Sequence, residues 1–169
     1  MNVLHVQDDM QYLDIPEEWR ERLADEWGEK AARHLHFADG FTIVALHQTR
    51  SVGLIAVYWR ELPAPLPATI ESYIDFLEVH AAYRRQGIAR RLIDLAVQRA
   101  SEHHAYQVRS WSSEDKIEAI PMWKQLGFGL CPATTFPRGQ EVRGFFVTKV
   151  LVSPSSGRDR ERPDGQTET

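Results

Sequence analysis

The 169-residue sequence predicts a three-layer α/β/α domain, with helices on both faces of a central mixed β-sheet. Three observations predict it. Runs rich in β-forming residues alternate with segments of helical periodicity along most of the chain, in the order α-β-β-β-α-β-α-β. A hairpin-like turn joins two early strands, and the clearest helix follows a strand through a short glycine-containing turn.

Pro16 followed by Glu17 and Glu18 suits a helix start, where a missing N–H costs nothing and acidic side chains favour the dipole. Trp19, Leu23, Trp27, Ala31 and Leu35 then recur at helical spacing. Asp39-Gly40 ends that stretch, and Phe41–Leu46 reads as a strand. A second strand, Val52–Arg60, follows a turn at Gln48–Ser51. Pro63, Pro65 and Pro67 interrupt, because three prolines in five residues cannot continue a ladder. Strand character resumes from Ile70 to His80. From Gly87 the residues Ile88, Leu92, Leu95, Ala96 and Arg99 line one helical face, with Arg90, Arg91, Asp94 and Gln98 on others; the helix ends near Glu102–His104. Tyr106–Trp111 reads as a strand and Glu114–Leu126 as a helix that Gly127 terminates. A short strand near Phe128–Cys131 and a final one from Val142 to Leu151 complete the order. Ser153–Thr169 holds three Ser, two Pro, two Gly and seven charges with no large apolar side chain. Such a segment cannot bury enough surface to offset its ordering entropy, so the domain is placed at residues 1–152 with a disordered tail at 153–169.

Composition is that of a soluble globular protein: 43% hydrophobic and 26% charged residues. A net charge of -4 and a pI near 6.0 argue against nucleic acid as a partner, although a local basic cluster stands at residues 84–91. Cys131 is the only cysteine, which excludes an internal disulfide and suits a cytoplasmic setting. The longest apolar stretches fall far short of the roughly 20 residues that span a bilayer, so no membrane is expected. His34 and His36, and His103 and His104, lack carboxylate or Cys partners at ligand spacing, so no metal is expected.

The strand-to-helix turn Arg84-Arg85-Gln86-Gly87-Ile88-Ala89 has the chemistry of an anion site. Gly87 lets backbone approach an anion, Ala89 keeps the first turn uncrowded, and the free N–H groups and dipole of the helix start favour negative charge. Arg84, Arg85, Arg90 and Arg91 surround the turn with cationic heads. The stretch Leu77–Ala89 resembles the central motif of the GNAT superfamily of N-acetyltransferases, a strand L-x-V-x-P-x-x followed by (Q/R)-x-x-G-x-(G/A). Ala119–Phe128 resembles the same family's A-x-x-x-Y-x-x-x-G-F about 30 residues downstream, and with the element order the likeness covers most of residues 1–151.

The resemblance implies a protein that binds acetyl-CoA and passes the acetyl group to a primary amine by direct attack in a ternary complex. By it, the N–H groups from Gln86 through Gly87, Ile88 and Ala89 hold the pyrophosphate, with Arg84 beside them. Arg85 and Arg90 are the better candidates for the 3'-phosphate. The main chain of Leu77–Val79 pairs with the pantetheine arm, and the Val79 N–H polarises the thioester carbonyl. The amine must be neutral to attack, so a nearby carboxylate is useful. Glu78 is the favoured base, with Glu71, Asp75 and His80 as the other candidates. Strand alternation groups Glu71, Asp75 and Val79 on one face and Glu78 and His80 on the other, unless a bulge intervenes.

Three positions depart from the family pattern. Trp123 stands where the family has its acidic Tyr, Lys116 where an Asn is common, and Ala81 where Pro is common. A thiolate with a pKa near 8.5 leaves without help, so loss of the acid is compatible with turnover. The Trp123 substitution also motivates the alternative, a non-catalytic acetyl-CoA-binding regulatory module. The acceptor is unnamed by sequence. In this family it is met by the first helices and the loop before the last strand, here Ala133–Glu141, and homodimers are common.

Overall fold

A computed structural model describes residues 9–65 and 69–151 of the chain. The expected tail at 153–169 and Pro67 lie outside the described residues. Seven strands form one sheet in the order β1-β2-β3-β4-β5-β7-β6. They are β1 Met10–Asp14, β2 Gly40–His47, β3 Arg50–Glu61, β4 Ile70–Val79, β5 Gln107–Ser113, β6 Gly129–Thr135 and β7 Val142–Val150. The helices are α1 Arg20–Trp27, α2 Glu29–Ala32, α3 Ile88–Glu102 and α4 Ala119–Gln125. Only β4 and β5 pair in parallel, with α3 as their crossover, so the sheet is mixed as expected.

Two cores explain why β2 and β3 read as near-continuous apolar runs: both of their faces are covered. Phe41, Ile43, Ala45, Ile55 and Val57 pack with Ile88, Leu92, Ile93 and Ala96 of α3. Val44, Leu46, Leu54 and Ala56 pack on the opposite face with Leu23 of α1, Leu35 and the ring of Trp27. Gly53 permits the close seating of α3 on β3. A Cβ there would lie 2.9 Å from Ile88 Cγ2 and 3.3 Å from Leu92 Cδ1.

Several elements differ from the sequence expectation. β1 was absent from it: Met-Gln-Tyr-Leu-Asp has little apolar alternation and gains its strand conformation from five pairs with β2. The long first helix is divided at Gly28, whose φ of 84° closes α1 through its N–H to the Ala24 carbonyl. The helix expected from Glu114 starts at Ala119 instead. Pro121 decides this, since it is tolerated in a first turn but would break a helix begun five residues earlier. β6 extends to Thr135, beyond the short strand expected at Phe128–Cys131.

Two irregularities in β4 prepare the site. The register against β3 shifts between Ala56↔Phe76 and Val57↔Ile74, so Asp75 is bulged. Asp75 therefore joins Phe76, Glu78 and His80 on the α1/α2 face, overturning the parity grouping of Asp75 with Val79. The pairing of β4 with β5 is also brief, covering only Glu71–Tyr73 with Gln107–Arg109. Ser110 Oγ donates to the Ile74 carbonyl at 3.0 Å just past the last ladder pair, and beyond that point the strands part.

The contact of Gly53 with α3 gives a direct test. Gly53→Val is expected to push the start of α3 from the sheet and lower stability by about 1–3 kcal/mol, measured as a fall in the urea midpoint.

Candidate functional site

The parting of β4 and β5 opens a cleft of about 880 Å³. Leu77, Glu78 and Val79 of β4 form one wall, and Tyr83, Arg84, Arg85 and Gly87 through Arg90 curve around its end. Lys116, Glu118, Ala119, Met122 and Gln125 form the wall opposite, with Lys30 of α2 on the far face of the sheet. The cleft thus passes through the sheet, from the α3/α4 side to the α1/α2 side.

Main-chain direction along β4 follows from one bond. The His80 N–H donates to the Val52 carbonyl of β3 at 2.9 Å. Alternation then turns the N–H groups of Val79 and Leu77 away from β3 and into the cleft. The Val79 carbonyl, also turned outward, accepts Arg84 Nε at 3.0 Å, which ties the turn to the strand that precedes it.

Gly87 is the N-cap of α3 in the left-handed region, with φ 83° and ψ -1°. No side chain caps this terminus, and a Cβ on Gly87 would meet nothing within 4 Å. The glycine is therefore required by backbone conformation, and open space lies over the unpartnered N–H groups of the first turn. Leu77, Val79, Arg84, Arg85, Gly87, Ile88, Ala89 and Arg90, the residues singled out in the sequence for the cofactor, all line the cleft. Gln86 lies within the turn, where its side chain donates to the Ala82 carbonyl at 3.2 Å. Arg91 is absent from the wall and acts on Tyr12 of β1, lowering the pKa that burial raises there.

Five cationic side chains, Lys30, Arg84, Arg85, Arg90 and Lys116, face two carboxylates, Glu78 and Glu118, across this cleft. A chain of net charge -4 thus concentrates positive potential around the start of α3. Lys30, Lys116 and Gln125 carried no local sequence signal for this role. They reach the site only because α2 and α4 fold against the cleft.

The four candidate bases have different surroundings. Glu71 is fully buried, accepting Arg60 Nε and Gln107 Nε2, each at 2.6 Å. The Asp75 carboxylate is held by two imidazoles, His34 Nδ1 at 2.8 Å and His36 Nε2 at 3.1 Å, and His36 Nδ1 reaches Asp39 at 2.9 Å. A carboxylate partner for the two histidines thus arrives from β4, invisible to local spacing. His80 stacks on Trp27 with ring centroids 4.2 Å apart. Glu78 alone of the four is exposed, and among the described residues no ion pair or hydrogen bond engages its carboxylate. Trp123 is core, 4% exposed and edge-on to Phe128.

The model of the acetyltransferase (GNAT) family matches residues 6–128. No curated protein matches the sequence. Among solved structures, Arabidopsis thaliana NAA60 in complex with acetyl-CoA superposes with a TM-score of 0.69 at 17% identity, covering 84% of this chain and 99% of that one. Arabidopsis thaliana Naa50 in complex with the bisubstrate analogue CoA-Ac-MVNAL gives 0.68 at 19% identity, covering 85% and 99%. The ribosomal-protein-S18-alanine N-acetyltransferase of Escherichia coli gives 0.67 at 12%, covering 88% and 97%. At these identities the likeness is one of fold, and the seven-stranded sheet with flanking helices is shared.

The imidazole–carboxylate cluster predicts a pH signature. The hydrogen bond to Asp75 raises the His36 pKa against the opposing effect of burial, with Asp39 adding to the rise. The same bond from His36 lowers the Asp75 pKa, again against burial, with His34 helping. His36 therefore stabilises the fold fully below its unfolded pKa of about 6.5, and that contribution is lost as pH rises through the raised folded value. Asp75 stabilises above its unfolded pKa of about 3.9, and this is lost as pH falls through the lowered folded value. The gap in urea midpoint between wild type and His36→Gln is expected to be widest near about pH 5 and to close towards about pH 9. A gap that does not vary with pH contradicts the pairing.

Proposed function

The chain belongs to the acetyltransferase (GNAT) family, and from that premise we propose that it transfers the acetyl group of acetyl-CoA to a primary amine by direct attack in a ternary complex. The observation that carries the proposal is the cleft through the sheet, with an uncapped helix start at one end and the unpaired edge of β4 along its length. The N–H groups around Gly87 would receive the pyrophosphate, helped by Arg85, Arg90 and Lys116. The pantetheine arm would lie along Leu77–Val79 in the place of a strand partner. Its thioester would then face the outward N–H of Val79, a donor for the oxyanion.

In this reading the acceptor waits on the α1/α2 face, where Glu78 lies. Glu78 takes the proton that makes the amine nucleophilic, and its freedom from ion pairs distinguishes it from Glu71 and Asp75. The amine nitrogen bonds to the carbonyl carbon, the C–S bond breaks, and CoA leaves as a thiolate that solvent protonates. A thiol of ordinary pKa, about 8.5, needs no protein acid for this step, so the buried Trp123 is no obstacle. The second reading, a non-catalytic acetyl-CoA-binding module, draws only on Trp123.

Substitutions at two positions test the proposal at separate levels. Gly87→Asp is expected to abolish acetyl-CoA binding in calorimetry, while Gly87→Asn, of matching shape without charge, retains part of it. Either side chain enters open space at a backbone strain of about 1–2 kcal/mol. Equal affinity of wild type and Gly87→Asp removes the cleft as the acetyl-CoA site. Glu78→Gln is expected to lower kcat by about 10²–10⁴-fold in a thiol-release assay with an amine panel, at unchanged acetyl-CoA affinity. Tight binding with no turnover on any amine favours the regulatory module.

A further inference from the structure

The face of the sheet that carries Glu78 continues past α1 and α2 over β3, β4, β5 and β7. Paired residues share a face, so Tyr58 and Arg60 of β3, Glu71 and Tyr73 of β4, Gln107, Arg109 and Trp111 of β5, and Phe146 of β7 stand together there. None of the four aromatic rings belongs to either core, and all are half-buried. Tyr58 packs on Tyr73 at 5.2 Å and Trp111 meets Phe146 edge-on at 5.0 Å, which makes an aromatic floor. Two arginines rest on it, Arg60 over Tyr73 at 4.9 Å and Arg109 over Phe146 at 5.3 Å.

The charges on this floor do not cancel. Buried Glu71 is satisfied by Arg60 on one oxygen and Gln107 on the other. Arg109 Nη1 stands 3.6 Å from the same carboxylate, beyond hydrogen-bond reach. Among the described residues, no hydrogen bond engages any of the five N–H donors of Arg109. The Asp75 and Asp39 carboxylates are also engaged, Asp75 by His34 and His36, and Asp39 by His36. A guanidinium whose side chain is only 24% exposed thus shares a single carboxylate with Arg60 and keeps its planar fork free of hydrogen bonds, on the face where the acceptor is expected.

We propose that Arg109 receives a carboxylate of the acceptor, making the substrate an amino-carboxylate whose two ends lie well apart. The position of its amine rests on the acetyl-transfer reading above; the carboxylate subsite does not. Arg109 is paired with Tyr73, and Glu78, the base for the amine, lies five residues further along β4 with one of them bulged. At about 3.3 Å per residue, the base and the carboxylate subsite are about 13 Å apart along the strand. That spacing excludes acetylation of a free α-amino acid on its α-nitrogen, whose charges are adjacent. It suits an ω-amino acid, a diamino acid acetylated on its side chain, or a short peptide, with the intervening chain on Tyr73 and Trp111.

The test uses 6-aminohexanoate and its uncharged counterpart 6-aminohexanamide as probes of the full chain saturated with CoA. The Arg109 side-chain N–H resonance reports binding, and thiol release from acetyl-CoA is measured in parallel. The carboxylate is expected to bind at least about tenfold tighter than the amide and to shift the Arg109 signal, consistent with a charge-assisted bidentate pair. Arg109→Gln erases the preference, and Arg109→Lys, which keeps the charge beside Glu71, retains part of it. Equal affinity for the two probes, no binding of either, or a preference unchanged in Arg109→Gln overturns the subsite. Carboxylate binding through Arg109 without thiol release from any amine leaves the subsite standing and removes the transfer reading instead.

Discussion

Past Tyr73 the hydrogen-bonding edge of β4 has no strand beside it, because β5 diverges after three paired residues. Backbone groups in a protein interior require partners, and an unpaired strand edge is stable only where water or a ligand can reach it. Much of the architecture accommodates that gap. Ser110 closes its apex through the Ile74 carbonyl, Arg84 holds the Val79 carbonyl at the other end, and α3 and α4 flank it without filling it. An extended ligand that completes the ladder satisfies the edge by the same physics that pairs strands.

Electrostatics concentrates at the same place. The chain is acidic as a whole, yet the cleft gathers Lys30, Arg84, Arg85, Arg90 and Lys116 around an uncapped helix start. On the opposite face, buried Glu71 fixes Arg60 and Gln107 by hydrogen bonds and also pairs with Arg109, so two guanidinium groups share one carboxylate over aromatic rings. The sheet thus carries Arg84, Arg85 and Arg90 around the start of α3 on one side and Arg60 and Arg109 over aromatic rings on the other, with the β4 edge between them.

Strong periodicity was legible. Ile88, Leu92 and Ala96 declare α3 by spacing alone, and the all-apolar runs of β2 and β3 follow from burial on both faces. β1 was not legible, since its polar Met10–Asp14 sequence takes strand form only through β2. The length of α4 was readable in principle from Pro121, whose missing N–H confines it to a first turn.

By itself the sequence determined the turn at Gly87, its arginines and the strand before it, because phosphate-binding turns are local: neighbouring N–H groups and a residue tolerant of positive φ suffice. It therefore carried the expectation of a phosphate-bearing ligand. Which side chains stand together around the cleft and on the α1/α2 face was decided only by tertiary structure. The bulge at Asp75 reversed the strand's parity and joined Asp75 to His34 and His36, some 40 residues away. The pairing of β4 with β5 set Arg109 beside Tyr73 and Glu71. Side-chain facing depends on register, and register between distant strands is fixed by the packing of the whole sheet.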